Sequence, residues 1–159
     1  KLYDENRNKL TIGKLQEVAE QNDPRACSEV ASYYCFEVQN SELEYQFLRK
    51  ATLKGDYLSK KKLVEHIVEE RNSEIEVALT ILSELKELTD TISWAYYTEA
   101  HIFLKGIGLP KNIKRGLQLL GTAAHHKYPL AMADYAYFLF NGIESVTINS
   151  VSFEFSTVS

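Results

Sequence analysis

No stretch of this chain approaches the roughly 20 apolar residues that a membrane-spanning helix needs, and none is expected to cross a bilayer. The basic excess of a nucleic-acid binder is also missing. Lys and Arg number 18 against 22 Asp and Glu, a formal net charge of −4, which argues against a nucleic-acid backbone as partner. Cysteine occurs only at positions 27 and 35. Eight residues along one helix would separate the two by about 12 Å, and a disulfide needs Cα atoms within roughly 7 Å. The pair therefore reads as two unbridged, hydrophobe-like thiols, which lean towards a reducing, cytoplasmic setting. The chain starts at Lys1, which leaves open a removed signal peptide or an origin in a longer repeat array.

Catalytic signatures are missing as well. There is no H-E-x-x-H, G-x-S-x-G, glycine-rich phosphate loop or C-x-x-C. No catalytic set, metal or cofactor is expected from motifs. "GIG" at 106–108 follows a helical pattern rather than a strand, so it reads as a turn. "KKK" at 60–62 reads as a solvated helix face, and so does "EHIVEE" at 65–70, where His66 sits one turn from Glu69 and Glu70.

What is present is helical periodicity. The 159 residues are 45% hydrophobic and 25% charged, a globular composition of single-domain size. Ile12, Leu15, Val18 and Ala19 form one helical stripe, and Ile75, Ala78, Leu79, Leu82, Leu85 and Leu88 another. Breaks at 22–24, 54–56, 106–112 and 127–129 carry the Gly, Pro, Asn and Asp that end and start helices.

The breaks fall in register. Ala26, Ser59, Ala95 and Ala131 open alternate helices at intervals of 33, 36 and 36. Five residues later come Ala31, Val64, Ala100 and Ala136, and eight later Tyr34, Ile67, Phe103 and Leu139. Two small positions and one bulky one at fixed offsets describe helices that approach closely and then plug a gap. The expected fold is all-α: a right-handed α-solenoid of about four helix-turn-helix repeats, period 33–36, over residues 1–143. Residues 144–159 alternate Val146, Ile148, Val151, Phe153 and Phe155 with Ser and Thr, which predicts a short strand-like capping tail.

Residues 95–131 resemble a Sel-one-like repeat of the small bacterial type, a relative of the tetratricopeptide repeat. The resemblance rests on Ala95, Ala100, Phe103, Gly106, Gly108, Ala123 and Ala124, with weaker copies over residues 11–143. Leu109, Gly116 and Lys127 depart from it, standing where the family has Val, Ala and Gly. His125 and His126 then occupy variable positions at a helix end and read as punctuation, since helix neighbours point about 100° apart.

The resemblance implies a non-enzymatic protein-binding module, an adaptor or inhibitor. Small bacterial members found beside secreted toxins imply an immunity-type protein that occludes a cognate toxin or effector. First helices of such repeats line the concave side. Leaving out the packing offsets, that wall is expected to carry Glu29, Lys62, His66, Trp94, Thr98, His101, Asp134 and Tyr137, a mixture of aromatics and both charge signs suited to a protein partner. Some cysteine-rich relatives are described as drug-hydrolysing. They use cysteines paired across the helices of each repeat, which this chain lacks, so a hydrolase would have to rely on His66 or His101 beside a carboxylate.

Overall fold

The computed structural model describes residues 2–21, 23–53 and 57–141, with side chains from Thr11 onward. The strand-like tail predicted for 144–159 and the junction residues Asn22, Gly55 and Gly142 lie outside the described residues. What is described is helical, with no strand. The helices are α1 (Leu2–Glu20), α2 (Pro24–Tyr33), α3 (Ser41–Thr52), α4 (Tyr57–Glu70), α5 (Ile75–Leu85), α6 (Ile92–Lys105), α7 (Ile113–His125) and α8 (Pro129–Asn141).

The polar breaks act as caps. Asp23 accepts from the Ala26 N–H at 2.8 Å, with Pro24 in the first turn of α2. Asn40 and Asn112 do the same for α3 and α7, accepting from Leu43 and Arg115 at 3.0 Å. Each such cap is worth about 1 kcal/mol relative to alanine. At the other ends, α6 stops at Gly106 (φ 72°), and α7 stops before Lys127 (φ 60°), which takes the left-handed turn where the resembled family has glycine. Two features of the connections are not written in the periodicity. The chain widens into a π-helical turn at Tyr34–Val38 after α2, and α5 ends at Leu85 rather than reaching Leu88, which is exposed.

The chain divides into two compact units, Lys1–Ile81 and Leu82–Ser159. In the first, α1 packs on α2, α2 on α3 and α3 on α4. Its core joins Ala19 of α1, Ala26, Cys27 and Val30 of α2, and Ala51 of α3, with Ile12, Leu15, Tyr34 and Phe47 against it. Cys27 is fully buried, and its thiol meets the Ala19 carbonyl at 3.4 Å. In the second unit, α7 packs on both α6 and α8, and Ala100, Leu104, Leu120, Ala123, Ala131 and Phe138 share one cluster. Burying a leucine side chain contributes roughly 1.5–3 kcal/mol, so Leu104 and Leu120, both at 0% exposure, anchor this cluster.

The repeat offsets fall where close packing puts them. The opening positions Ala26, Ser59, Ala95 and Ala131 are all buried, as are Ala31, Val64 and Ala100 five residues on. The last copy differs: Ala136 and Leu139 of α8 are exposed.

Candidate functional site

The first unit holds a cavity of about 280 Å³. The end of α2 and the π-turn supply Ala31, Ser32, Cys35 and Phe36; α3 supplies Glu44 and Leu48; α4 supplies Lys62, Glu65, His66, Glu69 and Glu70. The helical spacing of α4 explains its share, because residues 62, 66, 69 and 70 lie on one face. Ala31 and Leu48 give an apolar lining, Phe36 stands 77% exposed at the rim, and four carboxylates face one lysine.

His66 is the centre of the polar network. Its side chain is 5% exposed, with Nδ1 3.7 Å from a Glu44 carboxylate oxygen and Nε2 4.0 Å from one of Glu70. Nε2 also lies 3.4 Å from the Ser41 Oγ, while the Ser41 hydroxyl donates to Glu70. Behind the imidazole the Tyr45 ring stacks at 5.6 Å, and the Arg71 guanidinium covers Tyr45 at 4.1 Å. Arg71 is itself held by Glu42, and by Glu74 at 3.5 Å. An Arg–Tyr–His stack backed by carboxylates fixes the imidazole plane, and cation–π contact adds to that rigidity.

Local electrostatics follow from this setting. Burial, then the Glu44 charge, pushes the Cys35 thiol above its ordinary range. Burial, with Glu69 adding to it and Lys61 and Lys62 opposing, raises the Glu65 carboxyl. Lys62 donates to the Ser32 hydroxyl at 3.1 Å, tying α4 to α2.

The second unit has its own polar centre. The Tyr97 hydroxyl of α6 donates to Asp134 Oδ2 of α8 at 3.1 Å, and His101 Nε2 lies 3.6 Å from the same oxygen. The Tyr97 ring meets His101 edge-on at 4.4 Å and Tyr128 at 4.9 Å. Burial and the neighbouring Asp134 charge push the Tyr97 hydroxyl far above the usual phenol range. Burial lowers the Lys105 ammonium, with Asp134 opposing. Glu99 is buried and shared by two cations, pairing with Lys86 and lying 3.8 Å from Arg115. Burial and the Arg115 charge together draw the Lys86 ammonium below its usual range even though Glu99 is beside it.

Of the residues expected to line a partner-binding wall, Lys62 and His66 do come together, in the first-unit cavity. Glu29 is exposed on α2 but does not line that cavity. His101 and Asp134 meet in the second unit, with Trp94 half-buried and Tyr137 48% exposed. Thr98 and His101 are only 5% and 3% exposed, so neither presents open surface. Sequence reasoning missed Ser41 and Glu44 because it followed first helices alone, while both come from a second helix, α3; Glu70 stands one turn from His66 in the sequence but reads there as part of a solvated face. Among the described residues, no three His, Cys, Asp or Glu side chains converge as a metal site requires, and no helix is long and apolar enough to cross a membrane. Comparison with protein-family models and with curated proteins gives no match to this chain.

Proposed function

We propose that this chain is a non-enzymatic protein-binding module of stacked, Sel-one-like helical hairpins, an adaptor or inhibitor. Its most concrete form is an immunity-type protein that occludes a cognate toxin or effector. The observation that carries this reading is a polar tie between alternate helices in each unit: Lys62 to Ser32 from α4 to α2, and Tyr97 to Asp134 from α6 to α8. Ties of that kind belong to hairpins laid side by side, the arrangement that gives repeat proteins their long recognition surfaces. The acidic cavity beside exposed Phe36 then suits a basic anchor side chain of the partner, since arginine combines an apolar stem, a stacking plane and a charge.

The test is affinity capture with cross-linking from the native organism, followed by titration of the captured protein. Glu29→Lys and Glu69→Lys change exposed charges outside the helix packing, and both should weaken the complex. A partner whose affinity neither substitution alters would remove these surfaces from the interface.

A second reading has one observation in its favour: Ser41, His66 and Glu44 lie in the order of a nucleophile, base and orienting acid. Against it, the Ser41 proton goes to Glu70, and the 3.7 Å from His66 to Glu44 exceeds a hydrogen bond. Ester or amide turnover that disappears in both Ser41→Ala and His66→Ala would establish the hydrolase and displace the binding module.

A further inference from the structure

Among the described residues, the trough between α7 and α8 is open and apolar. It encloses about 510 Å³ between Ile113, Lys114, Leu117 and Gln118 of α7 and Tyr135, Phe138 and Leu139 of α8. Leu139 is 62% exposed, although its floor neighbours Leu117 and Phe138 are buried. Concave apolar surface of this size is characteristic of a binding site.

The first unit shows what such a trough accepts. In the register that pairs Ala26 with Ala131, Ile12 corresponds to Leu117 and Tyr34 to Leu139. Ile12 and Tyr34 are half-buried there: both pack on the cluster that includes Ala51 of α3, and Phe47 of α3 stacks on Tyr34 at 5.8 Å. The covering element is a 12-residue amphipathic helix with Tyr45, Leu48 and Ala51 buried and Glu42 and Glu44 in its first turn. The residues in register with that buried stripe, Ser150, Phe153 and Ser156, do not repeat it.

We infer that the α7–α8 trough receives an amphipathic helix from a protein partner, seated as α3 is seated against α2 beside the cluster that α2 shares with α1. The inference rests on the binding-module reading and adds where the module grips and what shape it grips. Charge sets the chemistry of the occupant. Lys111 and Lys114 are exposed around the start of α7, and the only acid on α7 or α8 is Asp134, engaged with Tyr97. The partner helix therefore carries leucine or aromatic residues at 3–4 spacing against Leu117 and Leu139, and carboxylates at the end that meets Lys114.

The probe is a labelled peptide of α3 itself, residues 40–53, NSELEYQFLRKATL, which has both the stripe and the acidic first turn. Titrated into the full chain, it should give a saturable anisotropy change that a scrambled peptide does not. Leu139→Glu should weaken binding about ten-fold or more, and Lys114→Glu about three-fold; both positions are exposed, and circular dichroism confirms that the fold persists. Binding that survives Leu139→Glu, or that the scrambled peptide matches, overturns the inference. Tighter binding in Phe153→Ser would assign the trough to the chain's own later residues, and a dimer dissolved by Leu139→Glu would assign it to a second copy; either result overturns it. A cognate partner that binds Leu139→Glu at full affinity removes the trough but leaves the binding module standing. Peptide binding without any cognate partner fails the module and spares the trough.

Discussion

Leu104 Cγ stands 2.5 Å from the point where a Cβ on Gly116 would lie, and the Ala100 carbonyl is 3.1 Å from it. Helices α6 and α7 approach so closely here that the alanine of the resembled family does not fit. Gly116→Ala should destabilise the protein despite alanine's helix propensity. Overpacking costs about 1–3 kcal/mol, against a propensity gain of about 1 kcal/mol. Chemical denaturation followed by circular dichroism reads the result, and a midpoint raised by the full propensity gain would refute the close contact.

Lys127 makes the opposite substitution, a side chain where the backbone asks for glycine. It holds φ 60°, with its N–H on the Ala124 carbonyl at 2.9 Å and the Tyr128 N–H on Ala123 at 3.2 Å. The left-handed conformation costs an L-residue roughly 1–2 kcal/mol, part of which glycine gives back in backbone entropy. Lys127→Gly should raise stability by about 0.5–1 kcal/mol, while Lys127→Val should lower it. Thermal melts of the two variants would disprove the assignment if they shifted together.

Tyr97→Phe removes the hydroxyl from Asp134 without emptying the ring's place in the core. The loss should be about 1.5–3 kcal/mol, the range for a hydrogen bond to a charged group. It should also change the alkaline limb. The folded-state hydroxyl titrates above its ordinary value of 10.0, so its stabilising contribution is complete below that pH and drains away as pH rises beyond it. Wild type should therefore weaken above about pH 10 more steeply than the phenylalanine variant. Parallel curves would remove Tyr97 as the cause.

Acid should act through Glu42. Hydrogen bonds from Gln46 and then Arg71 hold its carboxyl below the ordinary 4.5. The sign is opposite to that of Tyr97: the contribution is present above that value and disappears as pH falls through the lowered one. Glu42→Gln should flatten this limb, more visibly at low salt because the pair faces solvent. Denaturation midpoints at several acidic pH values test it.

Much of the helical layout was legible because it is written locally. Asp23 and Asn112 announce helix starts through capping, and the small residues at Ala26, Ser59, Ala95 and Ala131 mark close approaches, all four of them buried, whereas the sequence reading passes over the cap at Asn40. The reading of His125 and His126 as a helix end matches α7, which terminates there. What could not be read depends on contacts distant in sequence. The π-turn at Tyr34–Val38 and the left-handed Gln39 (φ 54°) carry no glycine or proline to announce them. Thr98 and His101 carry polar atoms that suggest a wall, yet tertiary packing buries both. Glu44 joins His66 only because α3 turns back beside α4, a relation with no trace in the spacing of either helix.

The shared carboxylate of Glu99 has a consequence for proteolysis. The connector after α5 exposes Glu87, Leu88, Thr89 and Asp90, the kind of segment a protease cuts first. Yet its basic residue, Lys86, is 17% exposed and engaged by Glu99. Trypsin must draw a lysine fully into its specificity pocket, so it would have to break that engagement before cleaving. Chymotrypsin needs only Leu88, which is already 45% exposed. The same connector should therefore resist trypsin longer than chymotrypsin in a limited digest.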